Sequence, residues 1–164
     1  MIEIISFGYL HGPAPQAHAT FDVRHHFKDP HVDPALRHLT AADAPVMRAV
    51  LGTPGIGELA AAITAAALAY LAGPQPGPAV IAIGCAGGRH RSAALAIEAA
   101  RQLRDAGIPV TLTHRDIDNV MTCSKKLRQN RDYTVVALIA FACIHPSNGQ
   151  QHAFFLQAPS SAQC

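Results

Sequence analysis

The chain has 164 residues, 49% of them hydrophobic, which is enough for one domain with a sizeable core. Its 13 basic and 11 acidic residues give a formal net charge of +2, too weak a balance to indicate a nucleic-acid-binding protein by itself. The apolar stretches 59–72 and 134–144 are shorter than the roughly 20 residues of a membrane-spanning helix, so we expect a soluble globular domain.

The cysteines are not spaced like metal ligands. They are Cys85, Cys123, Cys143 and Cys164, and no two of them form a CxxC pair, which argues against a zinc site. We expect neither a metal nor a cofactor. Because the N-terminus does not look like a secretory signal, we expect a cytoplasmic protein with free thiols.

Strands and helices are predicted to alternate along the chain. Apolar runs predict strands over residues 2–7, 20–24, 80–83 and 110–113, and helices over 41–51, 59–71 and 92–106. Thr40 is the predicted N-cap of the first helix. The two Asp-Pro steps at Asp29 and Asp33 predict turns, rather than regular structure, between the second strand and the first helix. This order predicts an α/β domain with a mostly parallel sheet of about four strands and helices on its faces.

The character of the chain changes after residue 118. Residues 119–164 form a C-terminal extension whose structure the sequence does not predict. Four basic residues lie close together in it: Lys125, Lys126, Arg128 and Arg131. A run this short is usually a solvated cationic loop, and the alternative is contact with the phosphate backbone of RNA.

The segment Gly84–Ser92, with the sequence GCAGGRHRS, joins the third predicted strand to the third predicted helix. The first N–H groups of a helix lack intrahelical partners and attract anions, and glycines let the chain approach a ligand closely. Two arginines and a histidine add donors. We therefore predict a phosphate site here. The alternative is a tight connection in which the glycines serve packing only. Neither the Walker A nor the Rossmann pattern occurs.

Cys85 and Arg91 have the Cys-x5-Arg spacing of cysteine-dependent phosphatases. In those enzymes a thiolate is the nucleophile and the arginine holds the phosphate. A general acid would also be needed, with Asp22, Asp29 and Asp33 as candidates. The alternative is a small, half-buried thiol without a catalytic role.

Polar residues follow the predicted strands at the ends where a parallel sheet binds ligands. His11 follows the first strand, Asp22 and Arg24 end the second, and Arg115 follows the fourth. We expect them to meet the glycine-rich loop at one edge of the sheet. His31 is a further candidate ligand contact, although a single histidine is more often a solvated surface residue.

Five segments occur in one order along the chain: IISFGYLHG (4–12), FDVR (21–24), DPHVDPALRHLTAAD (29–43), AIGCAGGRHRS (82–92) and THRD (113–116). Together they resemble the C-terminal domain of the RapZ family, the RNase adapter proteins. The resemblance implies an α/β fold similar to part of phosphofructokinase, binding of glucosamine-6-phosphate and, in some bacteria, binding of small regulatory RNAs. It concerns the C-terminal domain alone, so the ATP-binding P-loop domain of full-length members does not carry over.

The resemblance also implies a sugar-phosphate pocket. It carries over onto His31, Cys85, Ala86, Gly87, Gly88, His90, Arg91 and Ser92, with His11 and Arg24 at matching motif positions. Ala86 stands where the family usually has a threonine. We expect a regulatory module rather than an enzyme, with Asp22 as the contact for the ammonium group of an amino sugar. RNA binding in homo-oligomers is a second hypothesis.

Overall fold

The computed structural model describes residues 1–119 and confirms the predicted α/β class and order of elements. Its four strands are β1 (Ile2–Gly8), β2 (Ala19–Asp22), β3 (Ala79–Cys85) and β4 (Val110–His114). Its α-helices are α1 (Ala44–Leu51), α2 (Ile56–Ala72) and α3 (Arg91–Asp105). Two short 3-10 turns, Tyr9–His11 and Pro30–Val32, follow β1 and β2 respectively.

The sheet is parallel throughout, with strand order β2-β3-β1-β4. Ile4 of β1 lies opposite Ile81 of β3 on one side and Leu112 of β4 on the other. Since alternate residues of a strand share a face, these side chains point to the same side of the sheet. This apolar face forms the floor of the core.

One core joins this face to all three helices. Val50 of α1, Ile63 of α2 and Leu95 of α3 are fully or almost fully buried in the same cluster as Ile4 and Ile81. Burying a side chain of this size stabilises the fold by roughly 1.5–3 kcal/mol relative to leaving it exposed. Among the described helices, none is long and apolar enough alone to span a bilayer, and α1 with α2 passes that test only as a pair bent by 89°.

The connections leave β1 and β3 in opposite directions. The chain crosses from β1 to the far edge at β2, whereas α3 carries it from β3 past β1 to the other edge at β4. Ligands of open parallel sheets bind outside the carboxyl ends of two such strands. The topology therefore predicts a ligand site near the carboxyl ends of β1 and β3, after Gly8 and Cys85.

Several predicted boundaries are corrected, among them the start of α2, at Ile56 rather than Leu59, and the end of β2, at Asp22 rather than Arg24. Helix α1 begins at Ala44 rather than Ala41, and its N-cap is Asp43 rather than Thr40. The Asp43 carboxylate accepts the backbone N–H of Thr40 at 2.8 Å and closes a turn, and Pro45 in the first turn of the helix has a preset helical φ. Strand β3 continues through Cys85, which lies in register with Gly8.

Candidate functional site

The glycine-rich loop packs directly on the end of β1. Gly88 has a φ of +78°, which disfavours any residue with a side chain. A Cβ at this position would lie 2.8 Å from Cβ of Asp116 and 2.9 Å from the backbone nitrogen of Gly8. Only glycine fits at this position, and its close approach to Gly8 holds the loop against the end of β1.

The loop leads into a helix start whose N–H groups are open. His90 is the N-cap of α3 and makes no capping bond with its side chain. The first helical bond runs from the N–H of Ala94 to the carbonyl of His90 at 2.8 Å. Within residues 1–119, no hydrogen bond engages the backbone N–H groups of residues 89–93. Buried amides are normally paired, and Arg91 and Ser92 are 4% and 0% exposed, so this helix end is suited to an anion.

The guanidinium of Arg91 is mostly engaged by the protein itself. Its Nη2 donates to Oδ2 of Asp29 at 2.7 Å. Its Nη1 donates to the carbonyl oxygens of Val23, Arg24 and Phe27 at 3.2, 2.8 and 3.2 Å. Its buried Nε has no hydrogen-bond partner in the described part of the chain. Arg91 thus anchors the segment after β2 over the start of α3, and its Nε–H remains a donor that no described group accepts.

His90 sits neutral between this segment and the loop. Its Nε2–H donates to the carbonyl of Leu39 at 2.8 Å, and its Nδ1 lies 4.0 Å from Oδ1 of Asp29. Burial lowers the pKa of His90 below its ordinary value, and the charges of Arg89 and Arg91 add to this effect. The Leu39 and Asp29 oxygens only partly oppose it. The imidazole is therefore a hydrogen-bonding group near pH 7 rather than a cation.

His31 lies beside this histidine. It is in the 3-10 turn Pro30–Val32, where its backbone N–H donates to Oδ1 of Asp29 at 3.0 Å. The ring centroids of His31 and His90 are 6.0 Å apart. His11 ends the turn after β1 and is half-buried. The structure thus brings His31 to the loop, and its contact with a ligand stays a prediction.

Cys85 lies at the base of the loop and is 3% exposed. Its Sγ accepts the N–H of Gly88 at 3.2 Å and lies 3.1 Å from Oγ of Ser92. The same Ser92 hydroxyl lies 3.2 Å from the carbonyl oxygen of Phe7. Since a hydroxyl has one proton, Ser92 can donate to Phe7 or to Cys85 but not to both at once.

Asp22 is held by Arg24. Its carboxylate accepts the Arg24 backbone N–H at 3.0 Å and two side-chain nitrogens at 2.6–3.0 Å. Burial alone would raise the pKa of Asp22, but the hydrogen bonds and charge of Arg24 outweigh it and lower the pKa. The Arg24 guanidinium also lies 3.8 Å above the ring of Tyr9. An ammonium group at Asp22 would therefore compete with Arg24.

Arg115 and Asp116 brace the loop after β1. Arg115 donates to the carbonyl of Pro13 at 2.7 Å, to that of Gly8 at 3.1 Å and to Asp116 at 2.8 Å. Asp116, 4% exposed, accepts the N–H of Gly8 at 2.8 Å. Burial would raise the pKa of Asp116, but its hydrogen bonds, led by that from Gly8, outweigh burial and lower it. Sequence reasoning missed Asp116, although the THRD motif contains it.

The strand ends bring most candidates to one edge of the sheet. Gly84 lies in register with both Phe7 and Asp22, and Cys85 with Gly8. The basic residues of the extension, Lys125, Lys126, Arg128 and Arg131, lie outside the described residues, so RNA binding through them stays a prediction. In residues 1–119, no group of three or more His, Cys, Asp or Glu side chains is arranged to hold a metal ion.

The comparisons with known proteins concern the same part of the chain. Residues 1–118 match the model of the RapZ C-terminal domain. The chain is 38% identical over 118 residues to a protein of Thermobifida fusca and 42% identical over 120 residues to one of Rhodospirillum centenum, both named nucleotide-binding proteins. A protein of the same name from Thermus thermophilus is 37% identical over 120 residues.

These matches include most of this chain but a minor part of each relative. They cover 70%, 71% and 72% of this chain, and 40%, 36% and 43% of the three relatives, in the order given. The chain therefore spans about two fifths of the length of the curated relatives it matches.

Proposed function

Because the chain belongs to the RapZ C-terminal domain family, we propose that it is a regulatory module that binds a phosphorylated small molecule. The phosphate group binds at the start of α3, within the loop 85–92. The ligand class that fits the family resemblance is an amino-sugar phosphate such as glucosamine-6-phosphate. We expect the ligand to be bound and released without a chemical reaction.

The observation that carries the proposal is the buried, unpartnered start of α3. The N–H groups of residues 89–93 have no hydrogen-bond partner within the described residues. The dipole of this 15-residue helix places about half a positive charge at the same point. Nε of Arg91 adds a buried donor that no described group uses. A phosphate oxyanion supplies the acceptors that these groups lack, and charge-assisted bonds of this kind are the stronger ones.

The relatives' names suggest nucleotides as a second source of phosphate groups. Those names belong to proteins more than twice as long as the matched segment. The loop 84–92 carries no Walker A pattern, so a nucleotide would be held here by one phosphate group and not by a P-loop. The sugar phosphate is therefore the first ligand to test, with ATP as a comparison.

Calorimetry with glucosamine-6-phosphate and glucosamine tests the proposal. We expect binding of the phosphorylated sugar and none of the free sugar. Arg91→Lys keeps the charge but has no Nε, so it should weaken binding, whereas Arg101→Lys on the exposed side of the same helix should not. Equal binding of both sugars, or binding of neither, would contradict the proposal.

The phosphatase alternative makes a different prediction. It requires turnover of an aryl phosphate that Cys85→Ser abolishes. We expect no turnover, because Nη1 of Arg91 already donates to three backbone carbonyls and Nη2 to Asp29. Turnover by the wild-type protein that Cys85→Ser removes would establish the enzyme.

A further inference from the structure

Asp29 occupies one arm of the Arg91 guanidinium at the proposed phosphate site. Its Oδ2 accepts Nη2 of Arg91 at 2.7 Å, while the adjacent Nε of the same group is buried and unpartnered within residues 1–119. Its Oδ1 caps the N–H of His31 and lies 4.0 Å from Nδ1 of His90. A carboxylate therefore stands beside the groups that would receive a phosphate.

A carboxylate in this position opposes a second anion in two ways. It accepts the hydrogen bond of Nη2, which together with Nε would otherwise form a bidentate contact with a phosphate. It also repels the negative charge of the phosphate, since like charges at a partly exposed site disfavour each other. The Asp29 side chain is 34% exposed, so it can exchange Arg91 for another cation.

Asp29 also lines a cleft whose lining includes neither Arg91 nor the loop 84–92. This cleft of about 310 Å³ is lined by Asp29, Asp33 and Lys28, with apolar walls that include Leu36 and Ala49. Its two carboxylates outnumber its one lysine. A positively charged group can therefore approach Asp29 from the cleft while an anion approaches the start of α3.

From this arrangement we propose that Asp29 is an internal counter-anion of Arg91 that makes the site selective for phosphate esters that also carry an ammonium group. The inference rests on the proposed function and deepens it. The ammonium of the ligand neutralises Asp29 as the phosphate takes its place on Arg91. A phosphate without a neighbouring cation binds against the uncompensated carboxylate. This assigns the ammonium contact to Asp29, whereas the sequence suggested Asp22.

The test compares Asp29→Asn with Asp33→Asn by calorimetry. Both variants remove one negative charge from the cleft, but only Asp29 contacts Arg91. Asparagine keeps the oxygen that caps His31, so the turn is retained. The ligands are inorganic phosphate, glucose-6-phosphate and glucosamine-6-phosphate. We expect Asp29→Asn to bind inorganic phosphate about five- to tenfold more tightly than the wild type, and Asp33→Asn to stay within about twofold.

The wild-type protein alone gives a second measurement that does not depend on a variant. It should bind glucosamine-6-phosphate more tightly than glucose-6-phosphate, and Asp29→Asn should reduce that ratio. Equal affinity of the wild type for the two sugar phosphates, or the same phosphate affinity in both variants, would overturn the inference while leaving phosphate binding in place. Binding of no phosphate compound by the wild type or by Asp29→Asn would overturn the proposed function as well.

Discussion

Arg91→Met should destabilise the domain far more than the same change elsewhere on α3. The side chain of Arg91 is 5% exposed and donates to three backbone carbonyls and to Asp29. Methionine fills a similar volume but leaves those carbonyls without a donor. An unsatisfied buried polar group costs about 1–3 kcal/mol, and breaking a buried ion pair costs about 3–5 kcal/mol. Because Asp29 is partly solvated, we expect Arg91→Met to lower the free energy of unfolding by about 3 kcal/mol, the lower end of the range for a buried ion pair.

Arg101→Met is the matched control. Arg101 lies on the same helix, is 58% exposed and forms ion pairs with Glu98 and Asp105. Solvent screens exposed pairs of this kind, so they contribute little to stability. The assay is urea unfolding followed by circular dichroism, with the free energy of unfolding as the readout. Equal losses for the two variants, or a loss below about 1 kcal/mol for Arg91→Met, would refute the anchoring role of Arg91.

Three further predictions concern the loop and the pH dependence. Gly88→Ala should destabilise the fold by more than Gly107→Ala in the same unfolding assay. Both glycines have a φ near +78°, but of the two only Gly88 has neighbouring atoms where the added Cβ would lie. Equal losses for the two variants would argue against the packing described. Ala86→Thr should bind glucosamine-6-phosphate about two- to tenfold more tightly than Ala86→Val, which has the same shape without the hydroxyl. Equal dissociation constants of the two variants in calorimetry would show that no hydroxyl is needed at this position. Burial lowers the pKa of His90 and His114, so the unfolded chain takes up protons before the folded domain does as the pH falls through 6.5. The free energy of unfolding should therefore be lower at pH 5.5 than at pH 7.5, and His90→Gln should reduce the difference, whereas an unchanged difference would exclude His90 as a cause.

The elements around the loop could be predicted because local signals agree. The apolar run of β3 and the alanine-rich helix α3 were placed nearly as observed. Gly107 ends α3 with a φ of +77°, as expected of a glycine at that point, and its N–H donates to the carbonyl of Arg104 at 2.9 Å. The start of α1 was misplaced because Thr40 and Asp43 are both good caps, and the turn that joins them decides between the two.

The partners of Arg91 could not be predicted from the sequence. They lie 62–68 positions earlier in the chain, and only the folded crossover brings them to the start of α3. A pattern of Gly, Arg and His residues indicates an anion site, but it does not say which donors remain open. The pairing of Asp29 with Arg91 is of the same kind, since its sequence signal is only an Asp-Pro turn.

The most direct test of the phosphate site is a titration of the ¹⁵N-labelled protein with inorganic phosphate, followed by NMR of the backbone amides. If an oxyanion binds at the start of α3, the largest shifts fall on the amides of residues 89–93 and saturate together. Shifts that avoid these residues, or that grow linearly without saturation, would contradict the site.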